Sequence, residues 1–183
     1  EISNRCQASC PMCPRNINGG IDNPSLELND WTYDDFVTIF HKDIIKKINK
    51  FIFCGSFGDP VLNDNLIEMC QYVTDNNPES VIVIHTNGSM RKEEWWIRLA
   101  KALPKNHEVL FALDGSTQDI HVLHRVGTNL NKILKNAKAF ISAGGLASWN
   151  FLRFKHNEND LDNCIKLAKE YGFSNFNLKD TRR

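Results

Sequence analysis

The sequence has no long apolar run and no excess of charge of either sign. Its unbroken apolar segments span only a few residues, such as Val81-Ile82-Val83-Ile84, whereas a membrane-spanning helix needs about 20. Lys plus Arg and Asp plus Glu each number 22, so the formal net charge is zero. These absences exclude a membrane span and argue against a nucleic-acid partner, because no strong field would gather polyanions. A local basic patch or a recruited RNA substrate stays open.

A start methionine and a secretory signal are missing too, since the chain begins Glu1-Ile2-Ser3-Asn4-Arg5. We therefore expect a cytoplasmic protein that is either a piece of a longer chain or a trimmed form of one. The 183 residues are 42% hydrophobic and 24% charged, which is the composition of a single globular domain. We expect residues 1–183 to form that one domain.

Short apolar runs alternate along the chain with longer segments of helical period. The runs occupy residues 51–54, 81–85 and 109–113, with weaker ones at 149–154 and 173–178. We interpret residues 1–5 as the end of the first strand and the start of its loop. Continuous apolar runs favour strands buried on both faces, so the order predicts an α/β fold with a parallel sheet covered by helices. Ligands of such sheets bind at the carboxyl ends of the strands.

The helical segments carry apolar stripes that we expect to face the core. The first stripe contains, in order, Val37, Phe40, Ile44 and Ile48. Thr32 and Asp35 form its expected N-terminal cap. The other stripes lie within residues 66–73, 95–103, 130–141 and 161–168.

Six cysteines stand at positions 6, 10, 13, 54, 70 and 164. Nothing marks the chain as secreted, and its core is large enough to need no disulfide scaffold. We expect the last three to be small buried hydrophobes, because they end an apolar run or lie on apolar helix faces. Cys6, Cys10 and Cys13 differ, because chance would rarely place three cysteines within eight residues. Their spacing predicts a metal site.

The number of clustered thiolates limits the kind of metal site. A closed structural zinc site takes four ligands, and a cubane [4Fe–4S] cluster, as in an electron-carrying ferredoxin, takes four cysteines. The motif C-x-x-x-C-x-x-C contains only three. One iron of a cubane would therefore lack a protein ligand and could bind a small molecule. This argument favours a reactive cluster over a structural metal site.

The motif Cys6-x-x-x-Cys10-x-x-Cys13, after an expected first strand, resembles the signature of the radical S-adenosylmethionine (SAM) superfamily. The resemblance implies a partial (β/α)6 barrel, TIM-like and with parallel strands. It also implies that the three cysteines bind a [4Fe–4S] cluster whose open iron binds SAM. One-electron reduction would then cleave SAM to a 5′-deoxyadenosyl radical that abstracts hydrogen from a substrate. Met12 stands where the family usually has an aromatic residue and would lie near adenine.

The segment Gly55-Ser56-Phe57-Gly58-Asp59-Pro60 resembles the family's Gly-Gly-Glu-Pro motif. By this resemblance Phe57, Gly58 and Asp59 bind SAM, with backbone groups and a carboxylate facing the methionine ammonium. Asp59 replaces the usual Glu, which shortens the reach of the carboxylate. Taken alone, a Gly-Asp-Pro sequence is more often a turn.

Four more residues follow later expected strands at places that match the family. Asn87 belongs to a Thr-Asn-Gly segment and Asp114 to an Asp-Gly pair. Arg125 matches an arginine that can pair with the SAM carboxylate, and Asn157 lies in a polar segment similar to one in the same subgroup. The resemblance implies that all four of these residues bind the cofactor. From the residues alone, turn positions or a solvated arginine are the alternatives.

The resemblance covers the whole chain and is closest to the branch with a C-terminal SPASM or twitch extension, which contains peptide-modifying enzymes. The cysteines of such an extension are missing here, so we expect that it is cut away or lacking. The family implies a one-electron donor such as flavodoxin or ferredoxin, and the branch suggests a peptide substrate. The sequence assigns no catalytic residue beyond cofactor binding. A catalytically inactive or truncated module that binds an iron–sulfur cluster or zinc is the alternative function.

Overall fold

The computed structural model describes residues 1–103 and 106–180. The strands are β1 (Lys50–Phe53), β2 (Val81–Thr86), β3 (Glu108–Ala112), β4 (Leu146–Arg153) and β5 (Asn175–Asp180). The helices are α1 (Tyr33–Ile39), α2 (Lys42–Ile45), α3 (Leu66–Asn76), α4 (Glu93–Ala102), α5 (Gln118–His121), α6 (Leu130–Ser142) and α7 (Leu161–Tyr171). Single 3₁₀ turns follow β1 at Pro60–Leu62 and β4 at Glu158–Asp160.

All five strands pair in parallel, in the order β1-β2-β3-β4-β5. The sheet is open, because β1 and β5 do not pair with each other within the described residues. This arrangement confirms the α/β class and the parallel, partial-barrel fold. The expected strand at residues 1–5 does not form, since Ser3 makes one isolated antiparallel bridge to Asp30 instead. Within the described residues the sheet therefore has five strands, where six were expected.

The hydrophobic core lies between the helices and one face of the sheet. Phe51 and Phe53 of β1 are buried against Phe36 of α1, with ring centroids 6.3 and 5.9 Å apart from it. Ile52 between them is 54% exposed on the opposite face. The expectation of burial on both faces is therefore wrong for β1, because no described element covers that face of this edge strand.

Most of the expected helix faces are confirmed. The apolar faces of α3, α4, α6 and α7 are buried, and a capping box of Thr32 and Asp35 begins α1. In the first stripe, Phe40 and Ile48 pack against the core. The stripe is wrong at Ile44, because the helix is interrupted between α1 and α2. Ile44 is consequently 47% exposed, and Ile45 takes the buried position.

The three isolated cysteines have two different environments. Cys70 and Cys164 are buried on α3 and α7 as expected, whereas Cys54 after β1 is exposed. The expectation is wrong for Cys54 because side chains alternate along a strand, which places it on the same uncovered face as Ile52. Separately, the helices of the described residues include none that is long and apolar enough to cross a membrane.

Candidate functional site

A cavity of about 630 Å³ opens at the carboxyl ends of the strands. Its wall contains nine of the residues predicted to bind the cluster or SAM: Cys6, Cys10, Met12, Cys13, Phe57, Gly58, Asp59, Asn87 and Arg125. Its floor comes from the sheet, through residues such as His85, Leu110 and Asn150. Separate parts of the sequence therefore meet at the edge where a parallel sheet places its ligands.

The three cysteines of the motif are free thiols that line this cavity. Backbone hydrogen bonds fix the loop that carries them. The Ser9 N–H donates to the Val126 carbonyl at 2.9 Å, and the Cys13 N–H donates to the Cys10 carbonyl at 3.0 Å. Cys10 is 8% exposed, while Cys6 and Cys13 are half-buried. The loop thus holds three sulfur ligands in one recess.

The electrostatics of these thiols fit a cationic ligand. Burial and the nearby Asp59 carboxylate raise the pKa of Cys6 to about 12. Burial also raises the pKa of Cys10, against the lowering effect of Arg125. Thiolates in this recess therefore need added positive charge, which a metal ligand would supply. Among the described residues, no three His, Cys, Asp or Glu side chains converge closely enough for one metal ion.

Asn87 joins the first cysteine to the loop after β1. Its Nδ2 donates to Asp59 Oδ2 at 2.6 Å and to Cys6 Sγ at 3.6 Å. Its Oδ1 accepts from Gln7 Nε2 at 2.7 Å. Asp59 is 4% exposed and also accepts from Thr86 Oγ1 at 2.9 Å. Burial raises the pKa of Asp59, and the hydrogen bonds from Asn87 and Thr86 act in the opposite direction.

Asp114 is fully buried beside Arg125. Its Oδ2 accepts from Arg125 Nε at 2.6 Å and lies 2.9 Å from His124 Nδ1. Burial alone would raise the pKa of Asp114, but the Arg125 charge and the hydrogen bonds lower it to about 2. Arg125 in turn lowers the pKa of the Cys10 thiol through its positive charge, against the raising effect of burial. Asp114 was expected to touch the cofactor, yet it is not among the cavity-lining residues and instead orients Arg125.

Asn157 also lies outside the cavity wall, completely buried in the turn after β4. Its Oδ1 accepts from the Phe154 N–H at 2.7 Å. Its Nδ2 donates to the carbonyls of Asp114 at 3.0 Å and Leu152 at 2.9 Å. Backbone groups therefore satisfy the side-chain amide of Asn157, which was expected to contact SAM. Because one of these groups is the Asp114 carbonyl, Asn157 helps to hold the backbone of Asp114 in place.

The site residues that were not predicted from the sequence include Glu1, Gln7 and His124. Glu1 binds the backbone of the loop after β1, Gln7 binds Asn87, and His124 lines the cavity. The partners of Glu1 and Gln7 lie 56 and 80 residues away along the chain, so no local pattern reveals them. Of these three residues, only His124 could have been suspected from the sequence, because it directly precedes Arg125.

Comparisons with known proteins agree on one fold. The family model described as Radical SAM superfamily matches residues 1–168. Streptococcus suis SuiB bound to the precursor peptide SuiA has a TM-score of 0.75 at 19% identity, over 98% of this chain and 38% of SuiB. SuiB bound to S-adenosylmethionine gives the same TM-score and identity, over 99% and 39%. The structure of anSMEcpe with bound AdoMet gives 0.72 at 20% identity, over 98% and 49%.

These matches cover only part of the solved proteins. The chain spans less than half the length of SuiB and anSMEcpe, and at about one-fifth identity the likeness concerns the fold. Among curated proteins, none matches this sequence.

Proposed function

Because this chain belongs to the radical SAM superfamily, we propose that it binds a [4Fe–4S] cluster through Cys6, Cys10 and Cys13 and cleaves SAM reductively. The observation that carries the proposal is the meeting of these thiols with residues 57–59 and Arg125 in one cavity. When bound, the cluster and SAM supply a 5′-deoxyadenosyl radical that removes a hydrogen atom from the substrate.

The charged ends of the methionine part of SAM would meet two separate groups of residues. Phe57, Gly58 and Asp59 would hold the ammonium, because backbone carbonyls and a carboxylate suit a cation. Arg125 would pair with the carboxylate while it keeps its bond to Asp114, since a guanidinium has five N–H donors in a rigid fork. The chain would thereby fix SAM at both ends of its amino-acid moiety.

Two more wall residues complete the proposed site. Met12 is 36% exposed at the cavity and would offer an apolar surface to adenine. Asn87 already binds both Cys6 and Asp59, so it would couple the cluster loop to the loop that binds SAM. The half-buried side chains that line the cavity would keep water from the reacting atoms of the cluster and SAM.

We propose a peptide as the substrate. Structures with this fold include SuiB bound to the precursor peptide SuiA and anSMEcpe bound to AdoMet and a Kp18Cys peptide. The cavity floor supports the same class, because Asn150 lines it and accepts from Asn177 Nδ2 at 3.0 Å. Such side-chain amides match the donors and acceptors of peptide bonds. An external one-electron donor such as flavodoxin or ferredoxin, in the cytoplasm, completes the proposal.

The test is anaerobic reconstitution with iron and sulfide, followed by reduction in the presence of SAM and an assay for 5′-deoxyadenosine. Cys10→Ala is expected to abolish the product, because it removes one of three cluster ligands. Cys54→Ala is the matched control, since Cys54 is an exposed thiol that does not line the cavity. Its product yield is expected to equal that of the native chain.

Two results would contradict the proposal. A cluster that assembles without forming 5′-deoxyadenosine would favour the inactive iron–sulfur module. Tight zinc binding with no iron–sulfur cluster would contradict the cofactor itself.

A further inference from the structure

Glu1 places its carboxylate under three consecutive backbone N–H groups of the loop after β1. The Phe57 and Gly58 N–H groups donate to Oε1 at 3.0 and 2.6 Å, and the Ser56 N–H donates to Oε2 at 3.3 Å. Successive N–H groups that converge in this way form a concave anion site. Here the anion is a side chain of the same protein, 55 to 57 residues away in sequence.

The loop has little room to take another shape around this carboxylate. A Cβ atom at Gly55 would lie 2.5 Å from Glu1 Oε1, and one at Gly58 would overlap the backbone of Ser3 and Asn4. The Asp59 N–H donates to the Arg5 carbonyl at 2.8 Å. Residues 1–5 therefore support the whole length of the loop.

The direction of the N–H groups determines the direction of the carbonyls. In a planar trans peptide unit the N–H and C=O point opposite ways, so the carbonyls of Gly55, Ser56 and Phe57 point away from Glu1. One of them is located independently: the Ser56 carbonyl lies 3.8 Å from Cys13 Sγ. Cys13 lines the cavity, so the Ser56 carbonyl is directed at the recess of the cluster.

We propose that Glu1 is a positioning residue that turns the carbonyls of the loop after β1 toward the ammonium of SAM. Its negative charge binds the N–H side of the loop and leaves the carbonyl side free for a cation. This inference rests on the proposed function, because the loop must be the site of the SAM ammonium.

The test compares two ligands on reconstituted protein whose cluster is kept oxidised, so that SAM is not cleaved. One is SAM, and the other is 5′-methylthioadenosine, which has the adenosine and sulfur but lacks the ammonium and carboxylate. Glu1→Ala is expected to raise the dissociation constant for SAM about tenfold, as the loss of a charge-assisted hydrogen-bond network would. The constant for 5′-methylthioadenosine is expected to change less than about twofold.

Glu1→Gln is the conservative second variant, because its amide oxygen can still accept from the loop N–H groups. We expect it to weaken SAM binding less than Glu1→Ala does. Glu79→Gln is the matched control: Glu79 is an exposed carboxylate before the amino end of β2, far along that strand from the site. Its affinities for both ligands are expected to equal those of the native chain.

The outcomes separate this inference from the proposed function. If the native chain with its cluster binds no SAM, the proposed function fails. If the native chain binds SAM and both Glu1 variants keep its affinity, or lose affinity for both ligands equally, the positioning role of Glu1 is overturned and the proposed function stands. If Glu1→Ala does not assemble a cluster, the Glu1→Gln variant decides. The positioning role of Glu1 is then overturned if the ratio of the affinities for SAM and 5′-methylthioadenosine is the same in Glu1→Gln as in the native chain.

Discussion

Arg125 lies between the buried Asp114 carboxylate and the Cys10 thiol of the cavity. Its Nε binds the buried Asp114 carboxylate at 2.6 Å, and its positive charge lowers the pKa of Cys10 in the cavity, against the raising effect of burial. A charge in the interior is costly once its partner is removed. Asp114 therefore fixes the position of the residue proposed to meet the SAM carboxylate, although it does not line the cavity.

Asp114→Asn is expected to lower the free energy of unfolding at pH 7 by about 3 kcal/mol, because Arg125 would be left without its counter-charge. The pKa of Asp114 is lowered from its usual 3.8 to about 2 by folding, so the unfolded chain binds the proton first as the pH falls. The native chain should lose this stabilisation between about pH 4 and pH 2, whereas the variant has none to lose there. Urea unfolding of the cluster-free protein measures both effects.

The matched control is Asp180→Asn, which breaks the ion pair between Asp180 and Arg153. The side chain of Arg153 is 42% exposed and that of Asp180 is 68% exposed. An exposed pair contributes less than about 1 kcal/mol, so a small loss is expected there. Equal losses in Asp114→Asn and Asp180→Asn would contradict the importance of the buried pair.

Among the elements, the turn after β2 is tightly confined by core side chains. Gly88 has a φ of +70°, and a Cβ there would lie 2.6 Å from Phe111 Cδ1 and 3.0 Å from Ile133 Cγ2. The turn therefore packs directly on β3 and α6. Since Asn87 immediately precedes it, the packing of this turn also positions one wall of the cavity.

Gly88→Ala is expected to reduce the free energy of unfolding by about 2 to 3 kcal/mol, because backbone strain and overlap with two core side chains add. Gly144→Ala is its control, since Gly144 has a φ of +96° but nothing within 4 Å of a new Cβ. That variant has strain alone and should lose about 1 kcal/mol. Chemical denaturation of the two proteins compares them, and losses of the same size would show that packing around Gly88 is unimportant.

The elements differ in how far the sequence predicts them. β2 and β3 are recognisable because both their faces are mostly buried, which produces continuous apolar runs. Residues 1–5 look like the end of a strand, but their conformation depends on Asp30 and on the loop after β1, neither of which is local. The interruption near Phe40 is likewise decided by packing, since the apolar period continues through it.

The same distinction applies to the candidate site. The spacing of Cys6, Cys10 and Cys13 is local, so the sequence alone predicts their proximity. Asp114 and Asn157 follow strands as binding residues would, but their side chains turn inward to Arg125 and to backbone groups. Which way a polar side chain turns at a strand end depends on partners that only the fold brings near.

At the scale of the whole molecule, the open sheet distributes burial unevenly. β3 is paired on both sides, whereas β1 and β5 are edges of the sheet within the described residues. In β5 the residues are half-buried or exposed throughout. Stability against local opening should follow the same gradient, because it depends on buried contacts and protected hydrogen bonds.

Amide hydrogen exchange on residues 1–183 is expected to be slowest in β3 and the strands beside it, and faster in β5. The physical reason is that β5 can open without exposing the core between β2, β3 and β4. Mass spectrometry of peptides covering each strand measures this order. Protection of β5 as strong as that of β3 would contradict it.

The cysteine loop is held by residues that are synthesised long after it. Its supports include the Asp59 N–H on Arg5, Asn87 on Cys6 and the Val126 carbonyl on Ser9. A chain leaves the ribosome from its amino terminus, so the three thiols emerge before these partners do. Their recess takes its final shape only when about two thirds of the 183 residues exist. The recess proposed to hold the cluster is therefore complete only after Val126 has been synthesised.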